Sequence, residues 1–227
     1  MPETGTIGEA MRAQGISRRS LLKYTGYLAS ILALPPMASR AMADALASAK
    51  RQSVIWLSFQ ECTGCTESLT RSFSPTIEDM IFNLISLDYQ ETLMAASGTA
   101  AEEAMQAARA ANKGKYVLVV DGSVSTALGG VYSTNAGKSN LDTLKELAAD
   151  AAAVLSVGTC AAFGGIPMAA PNPTGAVPVS EIVTDKPVIN ICGCPPIPEA
   201  IAGTIAYIIT FGGLPELDHL NRPKAFF

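Results

Sequence analysis

Ser53-Val54-Ile55-Trp56-Leu57-Ser58-Phe59 runs directly into Gln60-Glu61-Cys62-Thr63-Gly64-Cys65. The first seven residues are apolar and β-branched, the make-up of a buried strand. Four more segments read the same way. Residues 83–89 alternate, 116–120 form a continuous apolar run, and 153–157 and 187–191 are similar. Continuous runs fit strands covered on both faces. Between them, residues 66–71, 99–111, 141–152 and 198–210 are rich in Ala or in Glu/Lys pairs, which suits helices. Strand alternating with helix predicts an α/β fold, an open parallel sheet with helices on both faces.

The cysteines sit where such a sheet would bring them together. Cys62 and Cys65 lie just past the first strand, Cys160 just past the fourth, and Cys192 and Cys194 just past the fifth. All strand carboxyl ends of an open parallel sheet share one edge, and ligands bind in the crevice outside it. Thiols far apart in sequence can therefore converge. Four thiolates around one centre suit a cubane iron–sulfur cluster or a structural zinc. A lone C-x-x-C could also be a thioredoxin-like pair, but that would leave Cys160 and Cys194 idle. Structural zinc sites usually use two local pairs, whereas here the third and fourth ligands come from remote loops. Cys192 directly ends a strand and reads as a small buried residue. Glu61 and Glu67 flank the first pair, either accepting protons or holding a partner chain, or else as solvated loop carboxylates. Asp121 closes the third strand at the same edge, where a helix or turn cap is the simpler reading. The loop Pro171-Asn172-Pro173-Thr174-Gly175 is rigid, and His219 reads as a surface residue.

Composition narrows the function. Of 227 residues, 48% are hydrophobic and 16% charged, so the chain is neither disordered nor fibrous. A net charge of −4 makes no case for nucleic-acid binding. Five cysteines are too few for a disulfide-built miniature domain, and a single His argues against a His-rich metal site. The first residues read as a leader. Ser17-Arg18-Arg19-Ser20-Leu21-Leu22-Lys23 is a twin-arginine pattern, followed by an apolar stretch to Leu34, Pro35-Pro36, and small-x-small sites ending at Ala41 and Ala43. These are the parts of an export signal of the twin-arginine route, over residues 1–43. The plainer alternative is an amphipathic amino-terminal helix. Residues 1–43 carry five basic and two acidic residues, a net of +3, which leaves −7 for the remainder. Export of already folded protein suits a cofactor built in the reducing cytoplasm. The expected location is therefore the periplasm or the outer face of the cytoplasmic membrane.

Taken in order, ECTGCTES, VVDGS, GTCAAFGGIPMAAPNPTGA and INICGCPPIPE resemble the small subunit of nickel–iron hydrogenases. The resemblance covers roughly residues 50–227. It implies a flavodoxin-like domain over 50–212 carrying the proximal 4Fe–4S cluster. The implied ligands are Cys62, Cys65, Cys160 and Cys194. It also implies a large-subunit partner holding the nickel–iron centre, where hydrogen is split, and a downstream acceptor such as a cytochrome. Oxygen-tolerant relatives carry extra cysteines near this cluster. Gly64 and the Cys-free loop after Cys160 resemble the standard, oxygen-sensitive type. Residues 213–227 read as the start of a further cluster domain, and their unpatterned end at Phe226-Phe227 reads as a truncation. The family's further clusters would then be absent from this chain. The related quinone-reducing oxidoreductases resemble it less, because they place two adjacent cysteines in the first loop. A zinc-stabilised module and a disulfide exchange protein are the readings from other classes.

Overall fold

The computed structural model describes residues 5–227, so residues 1–4 of the predicted leader lie outside it. Five strands make the main sheet: β1 (Gln52–Ser58), β2 (Ile85–Gln90), β3 (Val117–Asp121), β4 (Ala153–Val157) and β5 (Val188–Ile191). Their spatial order is β2-β1-β3-β4-β5. This is the doubly wound, flavodoxin-like order, whose switch point lies between β1 and β3. β1 pairs parallel with β3, β3 with β4, and β4 with β5. The register sets Ser58, Asp121, Val157 and Ile191 side by side in one row. Four strands therefore end level, and every cysteine-bearing loop leaves from that row.

The chain forms two compact units. The first takes the residues up to 52 with 69–86 and 198–227, and the second takes 53–68 with 87–197. In the second unit, α4 (Gly64–Thr70) begins beside the first cysteine pair. Helices α5 (Thr99–Ala111) and α6 (Asn140–Asp150) turn Ala101, Met105, Leu144 and Leu147 onto Ile55, Leu57, Leu118, Val120 and Val154. Each such buried aliphatic side chain contributes about 1.5–3 kcal/mol. Helix α6 is capped by Ser139, whose Oγ accepts from the Asp142 amide at 3.1 Å. Short α7 (Gly158–Phe163) follows β4.

In the first unit, the predicted leader is helical. Its helices are α1 (Ile7–Ala13), α2 (Arg18–Ile31) and α3 (Ala38–Ser48). Thr6 and Glu9 form a reciprocal cap on α1, and the Ser17 hydroxyl caps α2 at 3.2 Å. The same unit holds a π-helical turn, Met80–Leu84, and the last helix, α8 (Pro198–Phe211). The residues after α8 differ from the patternless tail expected from sequence. Leu217 bridges Pro223, the Asp218 carboxylate accepts from the Arg222 guanidinium at 2.8 Å, and the Phe226 ring lies over Gly203 of α8. An Asx-type turn signal at Asp218 was present but has no periodicity to mark it. No helix among the described residues is long and apolar enough to cross a membrane.

Candidate metal centre

The first cysteine loop is held to the sheet edge by backbone. Phe59 N–H donates to Asp121 C=O at 2.8 Å, and Gln60 and Ser123 exchange amide bonds at 3.1 and 3.2 Å. Gly122 between them has φ +87, and a Cβ there would lie 2.8 Å from the Gln60 backbone, so glycine is required. The chain then turns at Thr63, whose φ of 66 is left-handed. That conformation costs a non-glycine residue about 1–2 kcal/mol. It places Cys62 in solvent and Cys65 in the interior, at the start of α4.

The other two loops are clamped to each other. Thr159 N–H donates to Gly193 C=O at 2.8 Å. The Thr159 hydroxyl donates to the same carbonyl at 3.0 Å and accepts from Gly193 N–H at 3.3 Å. Cys160 and Cys194, the residues next to these two, are thereby fixed as a pair. Ser68 Oγ donates to Pro196 C=O, tying the helix behind Cys65 to the loop of Cys194. The rigid loop at Pro171 is strapped beside the site: Thr126 N–H donates to Gly175 C=O, and Thr174 Oγ1 bonds the Gln60 side chain.

The four sulfurs feel one another. Burial raises the Cys65 thiol well above its ordinary pKa, and Asp121, Glu61, Cys160 and Cys62 push it further. Burial likewise raises Cys160; a backbone amide at Ile166 opposes this, while Cys194 and Cys62 add to it. Cys62 and Cys160 thus lie near Cys65, Cys194 lies near Cys160, and all four are free thiols. Thiolates crowded in a dry, acidic setting need a cationic core to exist together. Space for such a core is kept by glycines. A Cβ on Gly158 would lie 2.3 Å from Cys65 Sγ, one on Gly165 would lie 2.6 Å from Cys160 Sγ, and one on Gly64 would lie 3.2 Å from Cys62 Sγ. Among the described residues, no three His, Cys, Asp or Glu side chains sit close enough to hold a single metal ion. One zinc would need its sulfurs about 2.3 Å from a single point. A cubane takes one thiolate at each of four irons, around a wider gap. Four thiol donors are a ligand set that suits a cubane cluster as well as zinc.

Two carboxyls complete the site. Asp121 is fully buried, and its Oδ2 accepts from Thr66 Oγ1 at 3.1 Å. Thr66 in turn accepts from Gln90 Nε2 at 3.1 Å. Asp121 is therefore no local cap, as its place at a strand end suggested, but joins β3 to the helix behind Cys65. Burial raises its pKa, against the hydrogen bond from Thr66. Glu61 is half-buried with an unpartnered buried oxygen, and burial, followed by Asp121, pushes it up to about 7. Of the two readings for Glu61, the solvated loop carboxylate does not hold. Glu67 and His219 are exposed, and Cys192 is partly buried after β5. Sequence reasoning missed Thr66, Gln90 and Thr159. Only their nearness to a cysteine or a strand end could have suggested them.

Residues 62–208 match the family described as NADH ubiquinone oxidoreductase, 20 Kd subunit. The chain is 44% identical to the uptake hydrogenase small subunit of Azotobacter vinelandii, over 100% of this chain and 63% of the relative. It is 43% identical to the hydrogenase-1 small chain of Escherichia coli K12, over 98% of this chain and 60% of the relative. Among solved structures, the NiFeSe hydrogenase from Desulfovibrio vulgaris Hildenborough is 40% identical with TM-score 0.72, over 78% of this chain and 70% of that one. The chain therefore spans about three-fifths of the length of the curated relatives it matches. The family match begins at Cys62, on the loop that leaves the level row of strand ends, and the chain belongs to the NADH ubiquinone oxidoreductase 20 Kd subunit family, among its hydrogenase small subunits.

Proposed function

We propose that this chain is the electron-transferring small subunit of a nickel–iron hydrogenase, with a proximal 4Fe–4S cluster on Cys62, Cys65, Cys160 and Cys194. The observation that carries the reading is the level row of strand ends from which the loops of Cys62, Cys65, Cys160 and Cys194 all leave, two of them clamped through Thr159 and Gly193. When bound, such a cluster supplies one-electron storage at a potential set by charge, hydrogen bonding and burial. This chain's own residues set those terms. Cys65 is buried and Cys62 and Cys194 are exposed, so one side of the site is dry and the other faces outward. Asp121 and Glu61, in their ionised forms, would add negative charge that disfavours a further electron. Gly158, Gly165 and Gly64 keep the sulfurs uncovered, and Thr159 holds two ligand loops at a fixed spacing.

The partner in this reading is a large subunit carrying the nickel–iron centre, where hydrogen is oxidised. Phe163, Ile166 and Ile197 are exposed next to the Cys160 and Cys194 loops, and an apolar rim of this kind suits a protein partner. A downstream acceptor such as a cytochrome would take the electrons onward. The leader over residues 1–43 would send the folded protein out by the twin-arginine route. Replacing any one of the four cysteines by Ser should bleach the visible absorbance and lower iron and acid-labile sulfide. Four variants with unchanged spectra would reject the ligand set. Co-purification of a nickel-containing large subunit tests the partner, and its absence from the intact assembled complex would refute that part.

A further inference from the structure

Both small-x-small sites, ending at Ala41 and Ala43, lie inside α3 and not in an extended loop. Met42, Ala43 and Leu46 make its buried face, and Ala43 is only 5% exposed. Together with Leu28 and Ala29 of α2, Met42 packs on Ala206 of α8, and Tyr24, Leu32, Leu34 and Ala38 pack around them. The other flank of α3 meets α1 closely: a Cβ on Gly8 would lie 2.7 Å from the Ala47 carbonyl. Ile7 N–H donates to Ala49 C=O at 2.8 Å, pinning the far end of α3. The stretch that reads as a leader's apolar region is thus part of the first unit's core. Arg18 and Arg19 remain exposed, and Arg18 reaches Asp44, just past the Ala43 bond, at 3.4 Å. That exposed pair contributes little by itself.

We propose that α3, docked on α8, is a latch that withholds the Ala43–Asp44 peptide bond from processing until α2 and α3 peel away from the apolar face of α8. This rests on the leader reading of residues 1–43. The reaction withheld is hydrolysis by a small-residue-specific signal peptidase. Water adds across the bond, leaving a carboxylate on Ala43 and an amine on Asp44. Proteases act on extended, exposed chain, so a buried helix must open first, and the cleavage rate then follows the open population. The twin-arginine pair is readable in the closed state, whereas the cleavage site is not. Recognition therefore precedes processing. Peeling also uncovers Ala206 and its neighbours on α8, so release of the leader and exposure of that face are a single event.

The test compares the 227-residue chain with a free peptide of residues 34–50, each treated with purified signal peptidase in detergent. The peptide should be cut after Ala43, and the full chain should be cut at least about thirtyfold more slowly. Amides of residues 42–48 should exchange slowly in the full chain. Ala206→Asp on α8 leaves the cleavage sequence intact and should restore both cleavage and exchange towards the peptide's rates. Leu28→Ala, a milder change, should restore them in part. Equal cleavage of peptide and full chain, with unprotected amides, overturns the latch while the leader reading stands. An uncut peptide overturns the leader reading, and the latch falls with it.

Discussion

Gly158→Ala separates folding from cluster binding. Gly158 has φ +89, and an added Cβ would lie 2.3 Å from Cys65 Sγ. An unstrained contact sits at about 3.5–4 Å, so the sulfur must retreat by roughly 1.2 Å. Sγ lies one torsion from the backbone, and rotation of Cys65 clears the clash at little energetic cost. What remains against folding is the left-handed strain of an Ala, about 1–2 kcal/mol. Gly114→Ala makes the control, since its φ is +73 and nothing lies within 4 Å of the added carbon. Both variants should therefore melt only a few degrees below the parent. They should part company in the site, where ligands tolerate errors of only about 0.5 Å. Anaerobic reconstitution followed by iron and sulfide analysis should give a full complement in Gly114→Ala and a large deficit in Gly158→Ala. A Gly158→Ala protein with full iron and an unaltered visible spectrum would refute the placement of Cys65 as a ligand packed against this glycine.

The remaining expectations concern the clamp, the buried acid and the charge cluster. Thr159→Val removes the hydroxyl between the Cys160 and Cys194 loops and leaves Gly193 N–H unmet, at a cost of about 1–3 kcal/mol. Iron should leave this variant faster under a chelator, and an unchanged rate would show that the loops are held elsewhere. Asp121→Asn keeps the shape but removes a buried negative charge near Cys65, so the cluster's midpoint potential should rise; a fall would contradict the charge argument. Arg109 donates to Asp150 at 2.8 Å and also pairs with Glu146, which Lys138 joins. Lys138 holds the Glu146 carboxyl, and Arg109 the Asp150 carboxyl, below their ordinary values. A depressed carboxylate contributes stability above its unfolded pKa and loses it as the pH falls through its folded pKa. Denaturant melts should therefore show the gap between parent and Arg109→Met closing below about pH 4, and a gap that widens in acid would reverse the sign.

The sheet was legible because its strands are simple. The run at residues 116–120 is apolar without interruption and the stretch at 153–157 is broken only by Ser156, and each lies within one residue of β3 and β4 as they fold. Residues 99–111 coincide with α5, where Ala and paired charges leave no competing conformation. The π-helical turn at Met80–Leu84 went unseen, because nothing in local preference distinguishes one extra residue per turn. Over residues 17–48, the chemistry that would suit an export signal and the chemistry that forms helices are the same. Leu21, Leu28, Met42 and Leu46 serve either, and only packing against Ala206 reveals the buried face.

The site divides along the same line. Cysteines announce themselves, and a level row of strand ends converts their positions in sequence into a shared position in space. Asp121 does not announce itself, because a strand-ending Asp is ordinarily a cap. Its true partner, Thr66, lies 55 residues away, and Thr66 is reached in turn by Gln90 of β2. A buried carboxyl with one unpartnered oxygen beside four thiols is costly to fold around and adds nothing to the hydrophobic core. The response of the cluster potential to Asp121→Asn measures how much the charge at this position contributes.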